Sequence, residues 1–264
     1  MGPAGATGWP AVERGEGSPV VFLHGYPLDH RMWRPQLEAL SRNHRVVLLD
    51  LPGFGRAAES RVPDTLSGFS AEVARGVSAH VSGPAVVVGH SFGGYIALQL
   101  FRDHPELFAG LVLADTRSEP DTAEAREKRL ATVRRSAETG EGVDVEATTR
   151  ALLAPSTWKA GGPLVEGVRA IVRSARPPSI RGALTAIATR PDLTDTLSKV
   201  NVPSLVIWGE EDQLIPPSQT RALVTHLPRG SGVGIRGAGH LPSLEAPDPL
   251  IEALVDFLAR LSRG

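Results

Sequence analysis

The sequence predicts an α/β protein with a doubly wound, mostly parallel β-sheet and a helical insertion. Three observations predict it. Several short aliphatic runs are continuously apolar, which is typical of strands buried on both faces of a sheet. Segments with apolar residues at helical intervals separate these runs, as expected for parallel strands joined by helices. This alternation stops between Arg117 and Lys199, where no clear strand pattern occurs.

The predicted elements alternate along the rest of the chain. The strand patterns cover 19–24, 45–50, 85–90, 110–115 and 204–209. The helical patterns cover 32–42, 69–81, 95–102 and 248–261. The last helix places its apolar residues on one face, which predicts packing against the core. These residues are Leu250, Leu254, Phe257 and Leu258.

The stretch from 118 to 199 is rich in arginine, alanine and other helix formers. Glu124 and Lys128 stand four positions apart in the order that supports an exposed helix. We therefore predict that residues 1–117 and 200–264 form the core and that 118–199 form a helical cap lying over the sheet.

The composition excludes several kinds of site and partner. The 264 residues carry a net charge of −1, which gives no electrostatic reason to expect nucleic acid or an anionic membrane. There is no cysteine, so disulfides, thiolate metal ligands and a cysteine nucleophile are excluded. No run resembles a signal peptide or approaches the roughly 18 residues of a membrane span. We expect a cytoplasmic monomer or homodimer that acts on a small molecule.

The stretch V-V-V-G-H-S-F-G-G-Y-I-A-L, residues 86–98, changes from a strand pattern to a helical pattern at Ser91. A nucleophile elbow needs this arrangement, because its sharp strand-to-helix turn exposes the serine. The turn also brings neighbouring backbones so close that glycine is required, and Gly89 and Gly93 meet that requirement. The start of a helix further favours developing negative charge. Ser91 is therefore the candidate nucleophile.

A serine hydroxyl needs a base to take its proton and a carboxylate to orient that base. Of the eight histidines, His240 differs from the others, because it lies in R-G-A-G-H-L-P on a loop beyond a final short strand pattern. Asp212 follows the strand pattern of 204–209. The chain order Ser91, Asp212, His240 is the one that accompanies a nucleophile elbow.

Three other acids remain alternatives to Asp212. Asp115 stands at the end of the strand pattern G-L-V-L-A-D, where an aspartate often only caps the next segment. Glu210 and Glu211 precede Asp212 directly, but the spacing to Pro216 favours Asp212.

Acyl transfer also requires donors for an oxyanion. The residue after the nucleophile supplies one backbone N–H, which here is that of Phe92. The loop L-H-G-Y-P, residues 23–27, follows an earlier strand, and its Gly25 permits a turn that directs the Tyr26 N–H at the site.

Five short motifs together resemble the α/β-hydrolase superfamily over most of the chain outside 118–199. Two departures stand out: Arg56 occupies a position where serine is usual, and the hairpin that relatives carry before the H-G strand is short. We expect the first strand to be missing or irregular. The motifs are H-G-Y-P (24–27), D-L-P-G-F-G-R (50–56), G-H-S-F-G-G (89–94), W-G-E-E-D (208–212) and G-A-G-H (237–240).

The resemblance implies a serine hydrolase that cleaves a small carboxylic ester or lactone through an acyl-enzyme, without a cofactor. Ser91 argues against dehalogenase or epoxide hydrolase activity, because those relatives use aspartate at this position. Perhydrolase and C–C hydrolase chemistry remain open, as do a cyclase or lyase and a ligand sensor. The H-x-H-x-D-H cluster of a metal-dependent lactonase is absent, and we predict no metal site.

The predicted substrate pocket is formed by Tyr26, Trp158 and Leu241, with Leu152 and Leu153 as further roof candidates. The predicted cap is also rich in arginine, which could attract a carboxylate-bearing substrate, although a solvated helix face is the favoured interpretation. These arginines are Arg126, Arg129, Arg134, Arg135, Arg169, Arg173 and Arg176.

Overall fold

The computed structural model of the protein describes residues 9–261. Its sheet has seven strands in the order β1-β3-β2-β4-β5-β6-β7. Only β1 runs antiparallel to its neighbour, so the predicted mostly parallel sheet is confirmed. The strands are β1 (Ala11–Arg14), β2 (Pro19–Leu23), β3 (Arg45–Leu49), β4 (Ala85–His90), β5 (Phe108–Ala114), β6 (Ser204–Gly209) and β7 (Gly230–Ile235).

Twelve α-helices accompany the strands within residues 9–261, together with short 3₁₀ turns at His30–Trp33, Gly55–Ala57 and Pro105–Leu107. They are α1 (Arg34–Leu40), α2 (Leu66–His80), α3 (Phe92–Asp103), α4 (Ala123–Thr139), α5 (Val145–Leu152), α6 (Pro155–Ala160), α7 (Pro163–Arg173), α8 (Pro177–Ala188), α9 (Thr194–Leu197), α10 (Pro217–His226), α11 (Pro242–Glu245) and α12 (Pro247–Leu261).

Apolar layers cover both faces of the sheet, which explains why the strand sequences do not alternate. In β2, Val21 and Leu23 pack with α2 and α3, whereas Val20 and Phe22 pack with α1 and α12 on the opposite face. Every residue of the central strand β4 is buried. Helices on both faces make the sheet doubly wound, as predicted.

The expectation of a missing or irregular first strand is wrong. Strand β1 is short but regular, and its four residues pair with β3 from Ala11 opposite Leu49 to Arg14 opposite Val46. Its side chains are exposed or half-buried because β1 lies at the edge of the sheet. An edge strand needs no continuous apolar run, so its sequence carried only a weak strand signal.

Helices α4 to α9 lie between β5 and β6, and residues 118–199 contribute no strand to the sheet. Helix α4 begins after Thr122, whose side chain accepts a hydrogen bond from the Ala125 N–H, and it ends at Gly140 in a left-handed conformation. Helix α4 packs against α8, and α5 packs against α7. We call residues 118–199 the helical insertion.

Across residues 9–261, no helix combines the length and the apolar character needed to cross a membrane.

Candidate active site

Ser91 lies in the sharp turn between β4 and α3. Its φ of 51° and ψ of −114° are rare for a residue with a side chain, and its N–H donates to the Ala114 carbonyl at 2.9 Å. A Cβ on Gly93 would stand 2.5 Å from the Leu23 carbonyl oxygen, and one on Gly89 would stand 2.5 Å from that of Gly93. Glycine at both positions therefore permits the turn, as the sequence predicts.

The sheet brings Ser91, His240 and Asp212 together from three separate loops. The Ser91 hydroxyl lies 2.9 Å from His240 Nε2, and His240 Nδ1 lies 2.7 Å from Asp212 Oδ2. Because a carboxylate only accepts, Nδ1–H donates to Asp212 and Nε2 is left to accept from Ser91. His240 and Asp212 are buried, at 2% and 6% exposure.

Two backbone groups hold the Asp212 carboxylate in place. Its Oδ1 accepts hydrogen bonds from the N–H groups of Leu214 (2.8 Å) and Ile215 (3.1 Å). Burial acts to raise the pKa of Asp212, but the interaction with His240 and these hydrogen bonds outweigh it and leave the pKa below its usual value. Asp212 is therefore ionised at neutral pH.

The alternative acids make other contacts or are exposed. Asp115 is fully buried, and its Oδ1 accepts from the Gly209 N–H at 2.8 Å. Burial and the nearby Asp212 charge raise the pKa of Asp115 well above its usual value, which favours the protonated form of this carboxyl. Glu210 and Glu211 are exposed. Of these four acids, only Asp212 hydrogen-bonds to His240 within residues 9–261.

The backbone N–H groups of Tyr26 and Phe92 have no hydrogen-bond partner within the part of the chain that the structure describes. Tyr26 follows β2, and Phe92 is the first residue of α3. Both flank the Ser91 turn, since Gly25 lies against the Ser91 side chain. These are the two donors that the sequence predicts for an oxyanion.

Sequence reasoning missed two residues that fix the His240 loop, the buried His90 and the half-buried Glu245. His90 Nε2–H donates to the His240 carbonyl at 2.6 Å. Glu245 accepts from the Gly239 N–H (2.9 Å) with one oxygen and from the Ala154 N–H (2.8 Å) with the other, so it ties this loop to the helical insertion. These contacts join positions far apart in the chain, and no local motif indicates them.

A cavity of about 320 Å³ opens at Ser91 and His240. The helical insertion supplies part of its lining: Arg129 of α4, Ala147, Thr148, Ala151 and Leu152 of α5, and Ile187 of α8. Arg117 and Arg129 add positive charge to the lining. The other lining residues are Tyr26, Pro27, Tyr95, Leu214 and Ile215.

Of the predicted pocket residues, Tyr26 and Leu152 line this cavity. Trp158 and Leu241 are not among the residues that line it. Leu241 is fully buried in the apolar layer that includes α12, and Trp158 packs against the same layer with the Arg169 guanidinium 5.8 Å from its ring centre. Leu153 is buried in that layer as well.

Two groups of side chains within residues 9–261 have the composition of metal ligands. The first, Asp29, His30 and Asp50, is internally bonded, because Asp50 accepts from His30 Nδ1 at 2.7 Å and Arg31 pairs with Asp29. The second consists of Asp115, Asp212 and His240, of which Asp212 and His240 are hydrogen-bonded to each other.

Comparison with known proteins assigns the family. The model of the alpha/beta hydrolase fold matches residues 18–247. The chain belongs to this family. A pimeloyl-[acyl-carrier protein] methyl ester esterase from Xanthomonas axonopodis pv. citri is 30% identical over 259 residues, which cover 93% of this chain and 96% of the relative.

Solved structures agree with the assignment of this chain to the α/β-hydrolase family. A thermophilic esterase from Thermogutta terrifontis, in a malate-bound structure, has a TM-score of 0.90 and 34% identity, covering 96% of this chain and 93% of that one. The enol-lactonase from Burkholderia xenovorans LB400 shares the fold, with a TM-score of 0.85 at 22% identity, and the match covers 95% of this chain and 96% of that one. The predicted superfamily, fold class and enzyme class, an α/β-hydrolase, are confirmed.

Proposed function

We propose that this α/β-hydrolase is a serine hydrolase that cleaves a small carboxylic ester or lactone through an acyl-enzyme. The observation that carries the proposal is the continuous hydrogen-bonded chain from Ser91 through His240 to Asp212 at the cavity. The Xanthomonas and Thermogutta relatives, both esterases by name, support the same class of substrate.

In the proposed reaction, His240 Nε2 takes the proton of the Ser91 hydroxyl as its oxygen attacks the substrate carbonyl. The Asp212 carboxylate holds the Nδ1–H tautomer and stabilises the imidazolium that forms. The Tyr26 and Phe92 N–H groups donate to the oxyanion of the tetrahedral intermediate. His240 then protonates the leaving alcohol and activates the water that releases the acid.

The helical insertion serves as a cap in this proposal. Helices α4, α5 and α8 supply part of the cavity lining, and they therefore limit which acyl and alcohol groups enter. The cavity of about 320 Å³ suits a small substrate.

Labelling with a fluorophosphonate followed by intact-mass measurement tests the proposal. We expect one adduct per chain in the parent protein and none in Ser91→Ala or His240→Ala, because the label needs an activated serine. The same variants should lower kcat for a 4-nitrophenyl ester by at least about 10³-fold.

A folded parent protein that takes no label would contradict the proposal and favour a ligand sensor or a cyclase or lyase. If the protein is labelled but halogenates in the presence of peroxide far faster than it cleaves esters, the perhydrolase alternative takes the place of ester hydrolysis. Circular dichroism of each variant checks that loss of label does not reflect unfolding.

A further inference from the structure

Three arginines converge on a single buried carboxylate beside the cavity. Arg117 Nη2 and Arg190 Nη1 donate to Asp121 Oδ1 at 2.7 and 2.9 Å, and Arg129 Nε donates to Oδ2 at 2.7 Å. The Asp121 side chain has no exposed surface. Within residues 9–261, no other carboxylate pairs with these arginines, so their positive charge exceeds the negative charge that they surround.

The three arginines do not have the same surroundings. Arg190 is buried beneath the Tyr95 ring, 4.3 Å from its centre, and also donates to the Ile187 and Glu119 carbonyls. It does not line the cavity. Its contacts are those of a residue that holds the helical insertion together.

Arg117 and Arg129 do line the cavity, together with Ser91 and His240. Arg129 binds Asp121 through Nε alone. Its two terminal nitrogens have no hydrogen-bond partner within the described residues. Arg117 donates through Nη1 to Gln219 Oε1 at 3.2 Å and through Nη2 to Asp121, and its Nε is buried without a partner. Arg129 also lies close enough to Tyr26 that its charge acts on the pKa of the phenol, opposing the rise caused by burial. The terminal donors of Arg129 are therefore available at the cavity, and Arg117 adds a second positive charge beside them.

We propose that Arg117 and Arg129 form a subsite for a carboxylate of the substrate. The preferred substrate is then an ester or lactone that carries a second, ionised carboxyl group, such as a monoester of a short dicarboxylic acid. Guanidinium groups suit this role because their planar donors match a carboxylate in charge and geometry. Asp121 keeps both side chains in position without neutralising them. This inference rests on the proposed function of Ser91.

A matched pair of substrates tests the subsite. Mono-4-nitrophenyl glutarate and 4-nitrophenyl pentanoate have the same leaving group and acyl chains of equal length, and they differ in a terminal carboxylate or methyl group. We expect kcat/KM to favour the glutarate by about 10- to 100-fold, as charged hydrogen bonds allow. A parent protein that prefers the neutral ester would overturn the subsite.

Variants separate recognition from structure. Arg129→Gln should remove most of the preference by raising KM for the glutarate ester far more than KM for the neutral ester, and Arg129→Lys should restore part of it. Arg134→Gln is the matched control, because Arg134 lies on the same helix, pairs with Glu127 at the surface and does not line the cavity. Equal losses for both esters in Arg129→Gln would show a structural role only.

Binding of free glutarate, measured by calorimetry, does not depend on turnover. We expect the parent to bind glutarate at least about tenfold more tightly than Arg129→Gln does. Equal binding to both proteins would overturn the subsite. Labelling by the uncharged fluorophosphonate reports on Ser91 separately, so a failed subsite and a failed proposed function give different results.

Discussion

Two residues depart from common backbone geometry, and both lie in the site. Ser91 and Asp115 have φ values of 51° and 44°, the only positive values among the described residues other than glycine. Ser91 stands at the turn after β4, and Asp115 at the turn after the neighbouring strand β5. Such strain persists only where surrounding contacts enforce it, and here the Ala114 and Ile207 carbonyls accept from the two N–H groups.

The two buried aspartates of the site should respond differently to amide substitution. Asp115→Asn should leave kcat/KM within about tenfold of the parent, because a protonated carboxyl and an amide both offer an acceptor for the Gly209 N–H. Asp212→Asn should lower kcat by about 10³- to 10⁴-fold, because the amide no longer fixes the His240 tautomer. Steady-state kinetics with a 4-nitrophenyl ester measure both effects.

The pH dependence of the free energy of unfolding tests the raised pKa of Asp115 independently of the kinetics. Its raised pKa means that the native state holds a proton which the unfolded chain releases, so stability from this group is full at acid pH and falls as the pH rises. Asp115→Asn should gain stability relative to the parent as the pH rises above about 4, the usual pKa of aspartate, in urea unfolding. A difference that stays constant as the pH rises above about 4 would contradict the raised pKa of Asp115.

At the scale of elements, glycines within helices have contrasting roles. Gly167 of α7 has open space where a Cβ would stand, whereas a Cβ on Gly182 of α8 would lie 2.5 Å from the Pro63 carbonyl oxygen. Gly182 therefore allows α8 to approach the loop before α2, and Gly167 has no such neighbour. The sequence shows two glycines in helical patterns and does not distinguish them.

Alanine substitutions separate these roles. Gly167→Ala should raise the free energy of unfolding by about 0.5–1 kcal/mol, because alanine lowers the entropy cost of forming the helix. Gly182→Ala should lower it by about 1–3 kcal/mol, because the backbone must move to make room. Urea unfolding measures both, with the parent as reference. Greater stability in Gly182→Ala would contradict the close approach of α8.

At the scale of the whole molecule, the parallel sheet assembles the site. Ser91 and His240 stand 149 positions apart, yet both lie beyond the carboxyl ends of strands, where α/β sheets place their ligands. Two buried histidines form hydrogen bonds at this edge of the sheet. His24 accepts from the Leu51 N–H, and His90 donates to the His240 carbonyl. Burial lowers the pKa of both imidazoles, that of His90 to about 3.

The neutral state of His90 predicts a loss of stability in acid. A lowered pKa means that the unfolded chain binds a proton first, so stability from this group is full at neutral pH and falls from about pH 6.5 towards pH 3. Between pH 7 and pH 5, the loss from His90 amounts to about 2 kcal/mol. His90→Gln should show a smaller decrease in urea unfolding than the parent. The half-buried His104→Gln is the control, and an unchanged pH slope in His90→Gln would refute the assignment.

Much of the fold could be predicted from the sequence because its signals are local. Continuous apolar runs mark the buried strands, and the glycines around Ser91 mark a turn that almost no other residue allows. The chain order of Ser91, Asp212 and His240 identified the residues that the structure brings together. The short edge strand Ala11–Arg14 was missed, since an exposed strand needs no apolar run.

Only the tertiary structure decided which side chains face the cavity. Trp158 and Leu241 are apolar residues of the kind expected in a substrate pocket, but both pack in the apolar layer that includes α12. Arg117 and Arg129 line the cavity instead. Asp121 and Arg190 meet across 69 positions, and Glu245 reaches Ala154 across 91. Such contacts depend on how the helical insertion packs on the sheet. No local periodicity or motif in the sequence indicates contacts between residues so far apart in the chain.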